Sequence, residues 1–438
     1  MSVCMHGSKT KMLDTENNVC YNNEKYAFER KSQMNSSTYV NKTNKIAKIL
    51  FVVALIIFAV ADGYMVWNQC SPDGDGTYIS DVDTHIVKAI QPHVYSFLSV
   101  IFRETYYLFG ENMYVLAVLC TLLMVISNVT SVLILHHMYK KIYNIKSGWK
   151  SGFLSLASVF VVAFFSHYIG ESGAYSAAYA NVWHNPTLLL MRPFMLCVIF
   201  ATSMAFKNAE DGKPMGKYLV LSAVASLFCM WVKPSFFAAF LPALCVYLLI
   251  ELIRTKGKSF MFSLKLGLSY LGTIPVLIYQ YIVLYVYAPE KTEEVSSVYF
   301  KTNWTMEEIL HGVYDELFSA WFIILGIILL LVFQKTNKKL LTFTGLYWVV
   351  SDIFYYFVKE SGSRAMHGNF EWSKLIFLYV MMAFVAGEVF LKPAENDIPK
   401  KWKAIAGAVY AGHFITGLIY FASMVRGGWF FCIFQMYG

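Results

Sequence analysis

Apolar runs of membrane-spanning length recur along this chain, and they constrain its fold more than any other feature. A helix of about 20 apolar residues is long enough to cross a bilayer. Eleven such runs can be read. The first covers 47–67, and the others centre near Val125, Val161, Val198, Val224, Cys245, Ile278, Ile327, Val349, Met381 and Ile415. Lys233-Pro234 divides one long apolar stretch into two of these runs. Only 15% of the residues are charged and 57% are hydrophobic, whereas soluble domains carry about 25% charged residues. The expected fold is an all-α polytopic membrane protein of about 11 transmembrane helices.

The loops set the expected orientation. Alternate loops, 140–150, 207–217, 254–258, 335–339 and 391–403, are all basic. The others carry most of the acid: the first loop, Glu171, 289–297, 307–316 and 360–371. Lys and Arg collect on the cytoplasmic side of membrane proteins, so the N-terminus is expected inside and the C-terminus outside. Residues 1–43 are polar with no apolar run, and read as a disordered cytoplasmic tail. Lys42, Lys45 and Lys48 precede the first run, which has no small-residue cleavage site and is expected to remain as an anchor. Residues 44–438 then form one bundle.

The net charge of +8 sits in those short loops, so it marks membrane orientation and not a nucleic-acid partner. Four of the eight cysteines, Cys120, Cys197, Cys229 and Cys245, fall inside apolar runs and read as packing residues. Cys70 and Cys432 both belong to the expected outer side. Each reads as a free or buried thiol, with a pairing of the two as the alternative.

The first outer loop, 62–111, is the most distinctive segment. Asp62, Asp73, Asp75, Asp81 and Asp83 gather there, and a carboxylate at the mouth of a membrane cavity is a functional candidate. From Val82 the loop turns amphipathic: Val82, Ile86, Ile90, Val94, Leu98 and Phe102 recur every fourth residue. Pro92 ends one short helix and begins another. These are expected to be interfacial helices parallel to the membrane, with packing onto other loops as the alternative.

Three later outer segments supply cations and polar groups. His184-Asn185-Pro186-Thr187 opens a span, and Arg192 lies about a turn and a half inside it, placed to snorkel or to meet an anion. Lys233 stands at a tight turn between two spans, where it either sits among headgroups or serves a site. The segment 359–374 holds Arg364, His367 and Asn369 beside Glu360 and Glu371. Arg and His suit a phosphate, while Asn369 and the carboxylates suit sugar hydroxyls; a salt-bridged loop that closes the bundle is the bland alternative. Asp352, inside the preceding span, is either a buried paired group or a cavity residue. Walker, dinucleotide, HExxH and nucleophile-elbow motifs are absent.

With the acidic first loop (Asp62; Ser80-Asp81-Val82-Asp83) followed by helices and a many-span bundle, the layout from Lys45 onward resembles the GT-C integral membrane glycosyltransferases. The resemblance implies a first-loop carboxylate acting as general base or positioning the acceptor, here Asp62, Asp81 or Asp83. It also implies a polyprenyl-phosphate sugar as donor. The substrate-binding candidates are then His184, Asn185, Arg192, Lys233, Arg364, His367, Asn369 and Glu371. The reading also expects a departure from many members, with no large soluble C-terminal domain after the bundle. A divalent cation, Mg or Mn, is compatible with the aspartates, although some relatives work without one.

The expected partners are a lipid-linked sugar donor, a glycan or lipid-linked acceptor and membrane lipids, with no nucleic acid. The expected location is a bacterial plasma membrane, since neither a signal peptide nor a retention signal is evident. Rival readings are a surface-polysaccharide polymerase or ligase, a lipid-linked sugar transporter or flippase, and an accessory membrane protein whose outer polar residues are replaceable.

Overall fold

A computed structural model of the protein describes residues 44–73, 80–90, 94–145, 148–162, 183–287, 297–300, 305–307, 309, 310, 313, 317, 320–333, 338–361, 369, 370, 372–392 and 398–427. The 1–43 tail, Asp75, Pro92, Glu171, Arg364, His367, Glu371 and Cys432 lie outside the described residues.

The chain order is α1 (Asn44–Cys70), α2 (Asp81–Ala89), α3 (Phe97–Leu108), α4 (Met113–Ile142), α5 (Gly148–Ser158), α6 (Pro186–Glu210), α7 (Gly216–Val232), α8 (Ser235–Arg254), α9 (Phe260–Leu268) and α10 (Thr273–Tyr281). A π-helical turn, Ile282–Val286, extends α10. There follow β1 (Val298–Phe300), α11 (Trp321–Phe333), α12 (Lys338–Phe357), β2 (Val358–Glu360), α13 (Trp372–Phe390) and α14 (Lys400–Val425).

The protein is a membrane-embedded, all-α polytopic chain. Among the described residues, α1, α4, α6, α8, α13 and α14 are the six helices long and apolar enough to span a bilayer. A seventh span exists if α9 and Thr273–Val286, bent by 45° at their junction, act as one broken span. The other expected centres fall on helices α7 and α11, which are apolar but shorter than a span, on α12, and on the stretch after α5 that is largely outside the described residues.

Two helices form the centre. The most apolar stretches of α6 and α13 are 83% and 89% buried, against 28% and 33% for α1 and α14. The outer helices turn Ile49, Ile57 and Val60 of α1 and Ile415 and Ile419 of α14 away from the protein, as lipid-facing surfaces require. Small residues let backbones approach closely, as is common between membrane helices. At Gly417 of α14 an added Cβ would lie 1.4 Å from the Phe160 carbonyl oxygen. One turn earlier, His413 Nδ1 donates to the Val162 carbonyl oxygen at 2.7 Å.

The amphipathic stripe of the first loop forms two helices, as the periodicity predicts. Val82, Ile86, Leu98 and Phe102 are fully buried, because α2 packs on α3 and α6 while α3 packs on α4 and α7. The stripe therefore faces protein, where an interfacial helix would turn it to lipid. The bundle's own apolar flank supplies the partner. Tyr107, Leu108 and Phe109 remain exposed at the end of α3.

The helix ends segregate. The start of α6, the α7–α8 turn, the end of α10, β2 and the start of α13 meet at one end of the bundle. The ends of α4, α6 and α13 and the start of α12 meet at the opposite end around a common cavity. Each of these latter ends adjoins one of the basic loops.

Candidate functional site

At the first end, the polar side chains form two layers. The upper layer is built on the start of α6. Asn185 is its N-cap: Oδ1 accepts from the Leu188 backbone N–H at 3.0 Å, and Pro186 follows in the first turn, an arrangement that satisfies an orphan donor and fixes the helix start. The Asn185 Nδ2 is then directed to Asp81 Oδ2 at 3.2 Å. Asp81 itself begins α2, and its backbone N–H donates to the His184 carbonyl oxygen at 3.1 Å. Ser80 reinforces the same junction, with its hydroxyl 3.2 Å from the His184 carbonyl oxygen and 3.1 Å from Gln69 Oε1. His184 is half-buried. Burial pushes its imidazole below the ordinary histidine value, Asp81 opposes that shift and Lys233 adds to it.

Lys233 continues this layer. It is buried at the α7–α8 turn, donates to Thr187 Oγ1 at 3.2 Å and lies 4.7 Å over the Trp372 ring. Asp81 and Glu360 both act on it electrostatically. Beyond it, Asn369 Nδ2 donates to Glu360 Oε2 at 2.7 Å, the Tyr285 hydroxyl donates to Glu360 Oε1, and the Ser235 hydroxyl donates to the Asn369 carbonyl oxygen at 2.9 Å. The antiparallel pair β1–β2 sets Val298 opposite Glu360 and holds that carboxylate at the rim.

The lower layer lies about 10 Å deeper, seven residues of helical rise below Asn185. Asp62 of α1 is fully buried, and Asn128 Nδ2 of α4 donates to its two oxygens at 3.1 and 2.9 Å. Arg192 of α6 donates from Nη1 to Asn128 Oδ1 at 3.4 Å. Its guanidinium also lies 5.7 Å over Trp183 and 5.0 Å over Tyr379. A buried carboxylate and a buried guanidinium are thus joined through one amide, which limits the desolvation penalty each would incur alone. Around them Trp183 Nε1 and Tyr379 Oη are buried without a hydrogen-bond partner among the described residues.

The five aspartates of the first loop are therefore not one cluster. Asp62 is sealed in the bundle, Asp81 is in the upper layer, and Asp73 accepts from the Tyr114 hydroxyl at 2.6 Å in an exposed position. Asp83 lies on α2, while Asp75 falls outside the described residues. No group of three or more His, Cys, Asp or Glu among the described residues is placed to hold a metal ion. Of the expected binding residues, His184, Asn185, Lys233 and Asn369 share the upper layer and Arg192 the lower. Cys70 donates its thiol to the Val66 carbonyl oxygen at 3.0 Å.

Sequence reasoning missed Asn128 and Lys374. Lys374, fully buried on α13, is paired with Asp352 Oδ1 at 3.1 Å and lies over the rings of Tyr355 and Tyr356 at 4.7 and 4.6 Å. That pairing makes Asp352 a paired group, while its side chain stays 27% exposed. A signal was present for the lysine, since a cation inside an apolar run one helix after an intramembrane Asp needs a partner. Asn128 gave none beyond being polar in an apolar helix.

The chain matches no protein-family model and no curated protein sequence. The site's geometry therefore carries the functional argument.

Proposed function

We propose that the protein is a membrane glycosyltransferase that moves a sugar from a polyprenyl-phosphate donor to a glycan or lipid-linked acceptor. In this reading the upper layer faces outward, the helices complete eleven spans with the N-terminus inside, and the membrane is a bacterial plasma membrane. The observation that carries it is the meeting of Asp81, Asn185 and Lys233 at one end of the bundle. One carboxylate and one ammonium, held by separate elements in a half-buried site, are the groups this displacement needs.

An acceptor hydroxyl attacks the anomeric carbon as Asp81 takes its proton. The bond to the lipid phosphate breaks, and the phosphate leaves with the bonding pair. Lys233 stabilises the charge that develops on it. Asn185 orients Asp81 from the capped start of α6. Asp62 is less suited to be the base, because both its oxygens accept from Asn128 and it is fully buried. Asp62, Asn128 and Arg192 instead brace α1, α4 and α6 beneath the site. Arg364, His367 and Glu371 belong to the segment that precedes α13 and remain candidates for the donor phosphate and sugar.

A transporter of lipid-linked sugars is the second reading, favoured by the charged groups inside the spans, Asp62 with Arg192 and Asp352 with Lys374. The two readings part in one experiment. Purified protein is offered a panel of polyprenyl-phosphate sugars with an acceptor extract, and free lipid phosphate is measured. Release supports the transferase; movement of intact lipid-linked sugar across a reconstituted bilayer without release supports the transporter.

A further inference from the structure

Helices α1 and α4 run antiparallel in close contact, and their register brings two cysteines together at the upper end. The register is fixed lower down, where Asn128 of α4 donates to Asp62 of α1. At the next residue, Gly63, no side chain holds the helices apart. A Cβ placed there would lie 3.4 Å from the Val125 side chain and 3.9 Å from that of Thr121. Antiparallel helices that face each other at 62 and 128 come together again about two turns along, near 70 and 120. Those positions are Cys70, the last residue of α1, and Cys120 of α4.

The contacts of the Cys70 sulfur bear this out. It lies 3.6 Å from the Ala117 carbonyl oxygen, one turn before Cys120, and 3.8 Å from Thr121 Oγ1, the residue after it. The two thiols are themselves side-chain hydrogen-bond partners. Both are free thiols in the structure, Cys120 fully buried and Cys70 half-buried. A disulfide needs two facing cysteines whose Cβ atoms lie about 4 Å apart, and helices in close contact can supply that. The position also matters. Cys70 follows Gln69, whose Oε1 accepts from the Ser80 hydroxyl at 3.1 Å, and Asp81 comes next in the chain. The first loop therefore leaves and rejoins the bundle beside this thiol.

We infer that Cys70 and Cys120 are a disulfide-forming pair, a covalent staple between α1 and α4 at the base of the loop that carries Asp81. The oxidant is a disulfide-bearing protein or peptide of the outer compartment. Cys70, the thiol that solvent reaches, attacks one sulfur of that disulfide as its thiolate, and the other sulfur leaves as a thiolate. Cys120 then gives up its proton and attacks the Cys70 sulfur, and the oxidant's second thiolate departs. Two S–H bonds break and one S–S bond forms. The two electrons reduce the oxidant's disulfide, and the two protons end on its thiols. Cys120 needs no access of its own, because its step is intramolecular. The oxidising compartment rests on the outward-facing reading of the upper layer, whereas the pairing does not rest on sugar transfer.

The test alkylates the full-length protein with N-ethylmaleimide in its native membrane, before any unfolding, and maps its peptides by mass spectrometry. A peptide pair joined through Cys70 and Cys120, and separated by reduction, is the expected result. Purified protein reduced with dithiothreitol and then given oxidised glutathione should regain the same bond. Reduction should lower the melting temperature by several degrees, because the bond restrains the unfolded chain. Cys70→Ser should melt with the reduced wild type and ignore dithiothreitol. Both thiols left free after oxidised glutathione, a reaction that stops at a mixed disulfide on Cys70, or a Cys70–Cys432 bond would overturn the inference. A Cys70–Cys120 bond that forms with oxidised glutathione but is absent in the native membrane would support the pairing and overturn the outward orientation.

Discussion

Asn128 donates from one side-chain nitrogen to both carboxylate oxygens of Asp62, 66 positions away, at 3.1 and 2.9 Å. The same amide accepts from Arg192, so three helices are tied through one neutral side chain. Replacing it with Leu keeps the branched shape but leaves a buried carboxylate without its donors. We expect Asn128→Leu to cost about 3 kcal/mol, in the range for stripping a partner from a buried charge. Asp62→Leu in the same background should recover part of that loss, because the stranded charge is gone. Thermal unfolding of the single and double variants checks this, and strictly additive losses would show that the two residues do not act together.

Lys233 is the cation of the upper layer, placed between Thr187, Trp372 and the field of Asp81. If it stabilises a leaving phosphate, Lys233→Gln should lower kcat by about 10- to 100-fold, the worth of a charge-assisted hydrogen bond. KM should change much less, because the charge develops in the transition state. An unchanged kcat with a raised KM would assign Lys233 to ground-state binding only.

Gly417 packs against backbone. A methyl there would lie 1.4 Å from the Phe160 carbonyl oxygen, and a main-chain atom cannot swing aside as a side chain can. Gly417→Ala should destabilise the protein by about 2 kcal/mol or more through forced separation of α14, and weaken the His413 contact to Val162. Loss of the monodisperse peak on heating, several degrees below wild type, is the expected result. A melting curve equal to wild type would place the two backbones further apart.

His184 gives a pH dependence. Its imidazole is held below the ordinary value, first by burial and with Lys233 adding to it. The unfolded chain therefore takes up a proton more readily than the folded one, and stability falls as pH drops below the ordinary histidine value of about 6.5. Carboxylates also titrate on acidification, so the comparison is with His184→Gln. Wild type should lose more stability than this variant between about pH 7 and pH 5. Parallel pH profiles would mean that His184 is not enclosed.

The sequence made the class of fold legible because about 20 apolar residues have one use in a bilayer, and Asn185-Pro186 was legible as a helix start because its capping chemistry is local. The convergence of His184, Asn185, Lys233 and Asn369 was also readable, since each stands at the end of an apolar run and loop polarity assigns those ends to one face. What could not be read was which carboxylate is open. Asp62 falls inside the first apolar run and Asp81 in the loop beyond it, yet the amide that holds Asp62 comes from the middle of α4, and nothing local to Asp62 signals that partner. The direction of the α2–α3 stripe was hidden for a similar reason: periodicity shows that one face is apolar, but the flank of α4, α6 and α7 decides whether protein or lipid covers it. The opposite cavity needs five helices at once, so no single segment announces it.

The most direct measurement is single-turnover release of lipid phosphate from a consumed polyprenyl-phosphate sugar by wild type, Asp81→Asn and Asp62→Asn. All three should be matched for folding by size-exclusion profile. Loss of general-base catalysis lowers a rate by about 100- to 10,000-fold. The account predicts that loss in Asp81→Asn, with Asp62→Asn retaining turnover and losing mainly stability. Full turnover by Asp81→Asn, with the loss confined to Asp62→Asn, would contradict it.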